Sequence, residues 1–146
     1  MKILVDADAC PVKNIIVKEA KKRSIPVTMV MDTSHEREDG YSQIVTVDKG
    51  ADSADIKLIN LTEPGDLVVT QDFGVAAMAL GRRAVTLNQN GIEYTEQNMD
   101  TFLFERHVGK EVRRRGWRTK GVSKRTAADD RAFETKFLAL LERNIK

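Results

Sequence analysis

The first 90 residues alternate short runs of β-branched and aliphatic residues with stretches of helical periodicity. Five apolar runs of three to five residues end in polar or turn-forming residues, as expected of strands that are buried on both faces. These runs begin at Ile3, Val27, Ile44, Leu67 and Ala84. Between them, apolar residues recur every three or four positions, which indicates amphipathic helices. The alternation predicts an α/β fold with a doubly wound, mainly parallel sheet of about five strands.

Local signals set the expected boundaries of the helices. Pro11 favours the first turn of the first helix, because its missing N–H would have no partner there. Asp52 or Ser53 is expected to cap the second helix, which ends before Pro64. Gly81 is a plausible end for the third helix.

After Gly91 the alternation gives way to helical signals. Thr95 is expected to cap a helix that carries Met99, Phe102 and Leu103 on its apolar side. Thr126 and Asp129 have the spacing of a capping box before a last helix. That helix is predicted to bury four side chains: Phe133, Phe137, Leu138 and Leu141. We expect a single domain over residues 1–146, with a core over about 1–90 and a helical basic extension over about 91–146.

The basic residues are concentrated in one segment. Residues 106–125 hold nine Lys or Arg and one acid, a charge of +8, so that the rest of the +2 chain carries −6. This asymmetry is typical of proteins that bind a polyanion, nucleic acid above all, although a solvated face has the same composition. The residues expected to bind nucleic acid are Lys110, Arg113, Arg114, Arg115, Trp117, Arg118, Lys120, Lys124 and Arg125. For Trp117, stacking on a base and packing in the core both stay open.

Composition also bears on the compartment. Apolar residues make up 41% of the chain, but no run approaches the ~20 apolar residues that span a bilayer. The charged start MKILVDADAC lacks the pattern of a signal peptide. The single cysteine, Cys10, cannot form an internal disulfide and is expected to be a packed, unreactive thiol. We therefore expect a cytoplasmic protein that does not associate with membranes.

Five aspartates fall where the predicted strands end or helices begin. Asp6 and Asp8 follow the first strand, and Asp72 follows the fourth. Asp52 and Asp55 lie three residues apart at the start of a helix, so they share a face. Because ligands of open parallel sheets bind outside the carboxyl ends of the strands, these carboxylates are expected to converge on one rim. Each of them alone would also suit a helix cap or a turn.

Clustered carboxylates repel one another, by about 4 kcal/mol for two charges 4 Å apart at an effective dielectric constant near 20. Protons, cationic side chains or a metal ion relieve this repulsion. An oxygen-only site with few nearby Lys or Arg suits Mg²⁺ or Mn²⁺. The expected metal ligands are Asp6, Asp8, Asp55 and Asp72. Such an ion would hold a phosphate and activate water for attack at phosphorus, and Thr70 would orient the water or a phosphate oxygen.

Six stretches of the chain are distinctive, and in chain order they are VDADACPVK, GADSADIKLI, GDLVVTQDFGVAA, NQNGIEYTEQNM, RRRGWRTKG and TAADDRAF. Together they resemble the YaiI/YqxD family of small bacterial proteins. The resemblance covers essentially the whole chain. The family is grouped with PIN-like domains, which are similar to metal-dependent nucleases that act on RNA or DNA. The resemblance therefore implies a three-layer α/β/α core with an acidic pocket.

The resemblance also implies a catalytic set by position. Asp6 and Asp8 match the opening acidic motif. Asp52 and Asp55 match the central Asp-x-Ala-Asp motif, and the turn after the fourth strand supplies two more residues. The implied catalytic residues are Asp6, Asp8, Asp52, Asp55, Asp72 and Thr70. The expected function is a Mg²⁺- or Mn²⁺-dependent nuclease, with RNA favoured over DNA as the substrate, although a likeness of fold alone does not establish an activity.

Two other functions stay open. Asp6 and Asp8 are placed as in phosphohydrolases of the haloacid-dehalogenase type, in which Asp6 would attack phosphorus and Asp8 would act as general acid. Against this, Cys10 stands where that family favours Thr or Val, and no later Lys or acidic pair is clearly placed. The third function is a module that binds nucleic acid without catalysis. A covalent phosphoaspartate at Asp6 would identify the second function, and binding without turnover would identify the third.

Overall fold

The computed structural model describes residues 1–8, 10–32, 39–50, 53–116 and 124–145. Its strands are β1 (Ile3–Asp6), β2 (Val27–Asp32), β3 (Gln43–Val47), β4 (Leu67–Val69), β5 (Val85–Leu87) and β6 (Glu93–Tyr94). Its helices are α1 (Lys13–Lys22), α2 (Ser53–Leu61), α3 (Phe73–Gly81), α4 (Glu96–Arg114) and α5 (Ala127–Ile145). In the described part of the chain, none of these helices combines the length and the hydropathy of a bilayer-spanning segment.

The strands form one sheet in the order β3-β2-β1-β4-β5-β6. All neighbouring pairs are parallel except β5 and β6, which are antiparallel. The chain moves outward from β1 to β3 and then returns to place β4 on the other side of β1. The strand order therefore reverses between β1 and β4, and a crevice is expected where the carboxyl ends of these two strands separate.

Helices cover both faces of the sheet and produce three layers. On one face, α1 and α5 pack on alternate residues of β1 and on neighbouring strands, with Ile3, Val5, Phe133 and Phe137 fully buried. On the other face, α2 and α3 pack on the intervening residues, such as Leu4. Because successive side chains of a strand point to opposite faces, burial on both sides explains why the strand sequences are apolar throughout. The predicted α/β class and parallel sheet are confirmed.

The remaining helix, α4, packs at the edge of the sheet instead of on a face. Its buried Met99 and half-buried Phe102 contact Tyr94 of β6 and Ala76 of α3. The two C-terminal helices therefore take different places, with α5 on a face of the sheet and α4 at its edge.

Three local expectations need correction. Among the described residues the sheet has six strands where about five were expected, because the two-residue strand β6 is too short to show a periodic pattern. The first helix begins at Lys13, since Val12 has non-helical dihedral angles and acts as the N-cap. In α5 the fourth fully buried residue is Leu140, and Leu138 is only half-buried. The buried residues thus follow the i, i+4, i+7, i+8 stripe of an amphipathic helix, from which Leu138 lies off to one side.

The predicted cap at the start of α4 is confirmed. The backbone N–H of Asn98 donates to Thr95 Oγ1 at 3.2 Å, and the backbone N–H of Thr95 donates to Asn98 Oδ1 at 2.8 Å. The substitution Thr95→Ala is expected to lower the free energy of unfolding by about 1 kcal/mol, because one helix N–H loses its acceptor. Urea denaturation measures this difference. The control Thr101→Ala, at an exposed position inside the same helix, should be neutral or slightly stabilising, and equal losses in both variants would contradict the cap's role.

Candidate active site

Four of the five predicted aspartates lie at the rim where the parallel strands end. Asp6 is the last residue of β1, and Asp8 follows two residues later. Asp72 is the N-cap of α3, which begins soon after β4 ends, and Asp55 lies in the first turn of α2. The fifth, Asp52, lies outside the described residues.

One hydroxyl group connects the ends of β1 and β4. Thr70 Oγ1 donates to Asp6 Oδ2 at 2.9 Å and accepts the backbone N–H of Asp72 at 3.0 Å. Asp72 Oδ1 in turn accepts the backbone N–H of Val75 at 3.0 Å, which caps α3. Thr70 itself is only 1% exposed. This buried hydroxyl therefore sets the relative positions of two carboxylates that are 66 residues apart in the chain.

Burial and the neighbouring carboxylates together determine the pKa of Asp6. Burial raises the pKa of Asp6 to about 6, although the hydrogen bond from Thr70 lowers it in part. The negative charges of Asp55, Asp72 and Asp8, in decreasing order of effect, raise this pKa further. The structure thus brings together four of the carboxylates that the sequence singled out. Their catalytic role stays a prediction.

The position of Asp8 depends on a neighbouring strand. The backbone N–H of Asp32, the last residue of β2, donates to Asp8 Oδ2 at 3.2 Å. This bond fixes the chain just after β1 against the end of β2. Sequence reasoning did not identify Asp32 as part of the rim, because its place beside Asp8 depends on the pairing of β1 with β2.

The rim offers the carboxylate oxygens that Mg²⁺ and Mn²⁺ prefer as ligands. Among the described residues, no three side chains of His, Cys, Asp or Glu converge closely enough to hold an ion by themselves. Mg²⁺ is usually bound in proteins by one or two carboxylates together with water and substrate phosphates. Burial raises the pKa of Asp6 to about 6 and the neighbouring carboxylates add to the rise, and a bound cation would relieve the repulsion among them. The residues present therefore fit an ion that binds together with a phosphate.

An aromatic cluster lies directly beside this rim. The rings of Phe73, Tyr94 and Phe102 pack with their centroids 5.7 to 6.0 Å apart. Burial raises the pKa of Tyr94, a hydrogen bond with Asn88 lowers it, and the charge of Asp72 raises it. Sequence reasoning missed this cluster, since isolated aromatic residues in three separate elements give no distinctive pattern.

Cys10 is buried, as predicted, and has no disulfide partner. Burial raises the pKa of its thiol, which disfavours the reactive thiolate. Of the two histidines, His107 is exposed on α4 and His35 lies outside the described residues.

Arg125 bonds to the protein itself. Its guanidinium donates to Asp130 Oδ1 and Asn90 Oδ1 at 2.8 Å and to the Gln89 carbonyl at 2.7 Å. These bonds hold the turn after β5 against α5. At Gly91 in this turn, φ is +82° and an added Cβ would lie 2.4 Å from the Ala132 carbonyl oxygen. Phosphate binding by Arg125 stays a prediction that would require its internal bonds to break.

The other basic residues of the predicted interface are divided between described and undescribed parts of the chain. Lys110, Arg113 and Arg114 are exposed on the last turns of α4, where Arg114 forms an ion pair with Glu111 at 2.7 Å. Arg115, at the C-cap of α4, and Lys124 are also exposed. The remaining three lie outside the described residues: Trp117, Arg118 and Lys120.

Comparison with known proteins identifies close relatives along the whole chain. Residues 4–143 match the family described as "Uncharacterized BCR, YaiI/YqxD family". A UPF0178 protein of Ruminiclostridium cellulolyticum is 59% identical over 142 residues, which cover 97% of this chain and 93% of that protein. A UPF0178 protein of Alkaliphilus oremlandii is 54% identical over 145 residues, covering 99% and 94% respectively. No solved structure matches the chain significantly.

Proposed function

The chain belongs to the YaiI/YqxD family, and from the geometry of its acidic rim we propose that it is a divalent-metal-dependent nuclease of PIN-like type that hydrolyses phosphodiester bonds in RNA. The observation that carries the proposal is the gathering of Asp6, Asp8, Asp55 and Asp72 at the point where the strand order reverses. Ligands of open α/β sheets bind at such points. The names of the relatives state no activity, so the proposal rests on the site.

Asp6 is the proposed proton acceptor for the attacking water. A general base works best when its pKa lies near the working pH, and the pKa of Asp6 is raised to about 6. The hydrogen bond from Thr70 fixes the orientation of this carboxylate. Thr70 is accordingly a positioning residue in the proposal, because it acts through Asp6.

The other carboxylates supply the negative charge that retains a cation at the rim. Mg²⁺ or Mn²⁺ bound there would neutralise charge on the phosphate and lower the pKa of water. The backbone N–H of Val75 donates to the Asp72 carboxylate and that of Asp32 donates to the Asp8 carboxylate, so both groups are oriented before substrate binds. Asp55 brings a further charge from the first turn of α2.

The basic end of α4 is the proposed binding surface for the phosphate backbone. Lys110, Arg113 and Arg114 are exposed there, and such contacts make affinity strongly dependent on salt. Arg115, Lys124 and the undescribed Trp117, Arg118 and Lys120 complete the predicted interface. The proposal places the protein in the cytoplasm, where RNA is an abundant polyanion.

Cleavage of a 5′-labelled single-stranded RNA oligonucleotide tests the function. The purified protein should cleave it when Mn²⁺ or Mg²⁺ is added, and EDTA should stop the reaction. The same reactions, quenched in acid, should carry no label on the protein, because water and not Asp6 attacks phosphorus. Stable label at Asp6 would replace the proposal with the phosphohydrolase of haloacid-dehalogenase type. Binding of RNA without cleavage under any metal condition would replace it with a binding module.

A further inference from the structure

Arg106 links the basic helix α4 to the acidic rim. Its guanidinium carbon lies 5.9 Å from the centroid of the Phe73 ring, over the face of that ring. Phe73 is the first residue of α3 and directly follows Asp72. The cation therefore lies over the ring of the residue that follows Asp72 in the chain. Because Tyr94 and Phe102 pack against Phe73, the ring beneath Arg106 is itself fixed.

Arg113 lies on the same side of α4 as Arg106. Seven residues correspond to nearly two helical turns, so the two side chains leave the helix in almost the same direction, with their Cα atoms about 10 Å apart along the axis. Gly109 lies between them, and an added Cβ there would be 3.4 Å from Arg113 Nη1. The guanidinium of Arg113 therefore folds back over Gly109, toward Arg106.

Arg106 and Arg113 have no acidic partner among the described side chains. In the described part of the chain, no carboxylate lies within ion-pair distance of Arg106 or Arg113, whereas the neighbouring Arg114 is paired with Glu111. A planar guanidinium that rests on an aromatic face keeps its N–H groups directed outward, in a geometry that matches phosphate oxygens. Arg106 and Arg113 are both exposed, so this side of α4 offers two cations to an anionic ligand.

We propose that Arg106 and Arg113 form a two-arginine phosphate-binding surface that guides a nucleic-acid strand along α4 to the carboxylates around Asp72. The proposal rests on the nuclease function and adds Arg106 to its binding residues. The two guanidinium groups contact two phosphates of one strand. Arg106 holds the phosphate nearer to Asp72.

The test compares Arg106→Gln with Arg82→Gln, which removes an exposed cation at the opposite end of α3. Binding of a fluorescent single-stranded RNA 12-mer is measured in EDTA over a range of salt concentrations, and melting temperatures are recorded for both variants. At about 0.1 M salt, Arg106→Gln should bind about tenfold more weakly than the wild type, with a salt slope smaller by about 0.7. Arg106→Lys should keep the wild-type slope, because it keeps the charge, but only part of the affinity.

Cleavage with Mn²⁺, measured in parallel, separates this inference from the proposed function. If the wild type binds RNA without cleaving it and Arg106→Gln loses affinity and slope, the arginine surface stands and the nuclease proposal fails. If the wild type cleaves RNA and Arg106→Gln matches Arg82→Gln in affinity and slope, the arginine surface is wrong and the nuclease proposal stands. Absence of RNA binding by the wild type overturns the surface. An unchanged melting temperature assigns the lost affinity to the contact and not to misfolding.

Discussion

Replacing Asp6 with Asn is expected to slow RNA cleavage by at least about 100-fold, the usual contribution of a positioned general base. The amide cannot accept a proton from water, but it has nearly the same shape and can still accept the hydrogen bond from Thr70. RNA affinity in EDTA should stay the same or increase, because one negative charge near the phosphate is removed. Single-turnover cleavage with Mn²⁺ and RNA titration in EDTA measure the two effects separately.

The matched control is Asp100→Asn. Asp100 is an exposed residue of α4, so this variant has the same change in net charge and leaves the rim intact. It should cleave RNA at the wild-type rate. If Asp6→Asn, freed of contaminating nuclease, also cleaves at that rate, Asp6 has no role in the reaction, and the proposed site is wrong.

The same Asp6→Asn substitution is expected to stabilise the folded protein at pH 7, by roughly 1–3 kcal/mol. Burial and three neighbouring carboxylates raise the pKa of Asp6 to about 6 in the folded state, whereas in the unfolded chain it is near 3.9. Between these two values the folded state binds more protons than the unfolded state. The stability of the wild type therefore falls as the pH rises through this window, and a neutral Asn does not contribute to that fall.

Urea denaturation in EDTA at several pH values tests this expectation. The stability difference between variant and wild type should be small below about pH 4, where Asp6 is protonated in both states, and should reach its full size above about pH 6. Asp100→Asn should show no such dependence. If Asp6→Asn were less stable than the wild type at pH 7, or if its gain in free energy of unfolding did not change with pH, the raised pKa of Asp6 would be contradicted.

The two expectations together describe a residue that lowers stability in favour of function, as is common in active sites. Added Mn²⁺ should stabilise the wild type at pH 7, because a ligand that binds only the folded state shifts the equilibrium toward it. The effect should be smaller for Asp6→Asn, because the variant has one negative charge fewer to attract the cation.

Much of the fold was predictable because its signals are local. The β-branched runs at Val27 and Leu67 became strands, and Thr95 became an N-cap through a bond to a residue three positions away. Such signals depend on backbone geometry and on the periodicity of apolar residues, which neighbouring positions already contain. The short strand β6 was not predicted, since it forms only by pairing with β5.

The candidate site likewise combines residues that the sequence identified with contacts that it did not. Its aspartates were identifiable from the sequence, because the end of a predicted parallel strand is a position that a pattern can locate. The sequence did not predict three contacts. These are the hydrogen bond from Thr70 to Asp6, the hydrogen bond from the Asp32 N–H to Asp8, and the position of Arg106 over the Phe73 ring. Each joins segments whose proximity depends on the order of the strands and on the packing of α4 at the edge of the sheet. The sequence by itself determined which residues carry the charge and which strands and helices they begin or end. Only the tertiary structure decided which of these residues meet. The physical reason is that strand order and helix packing come from the burial of the whole chain and not from any local pattern.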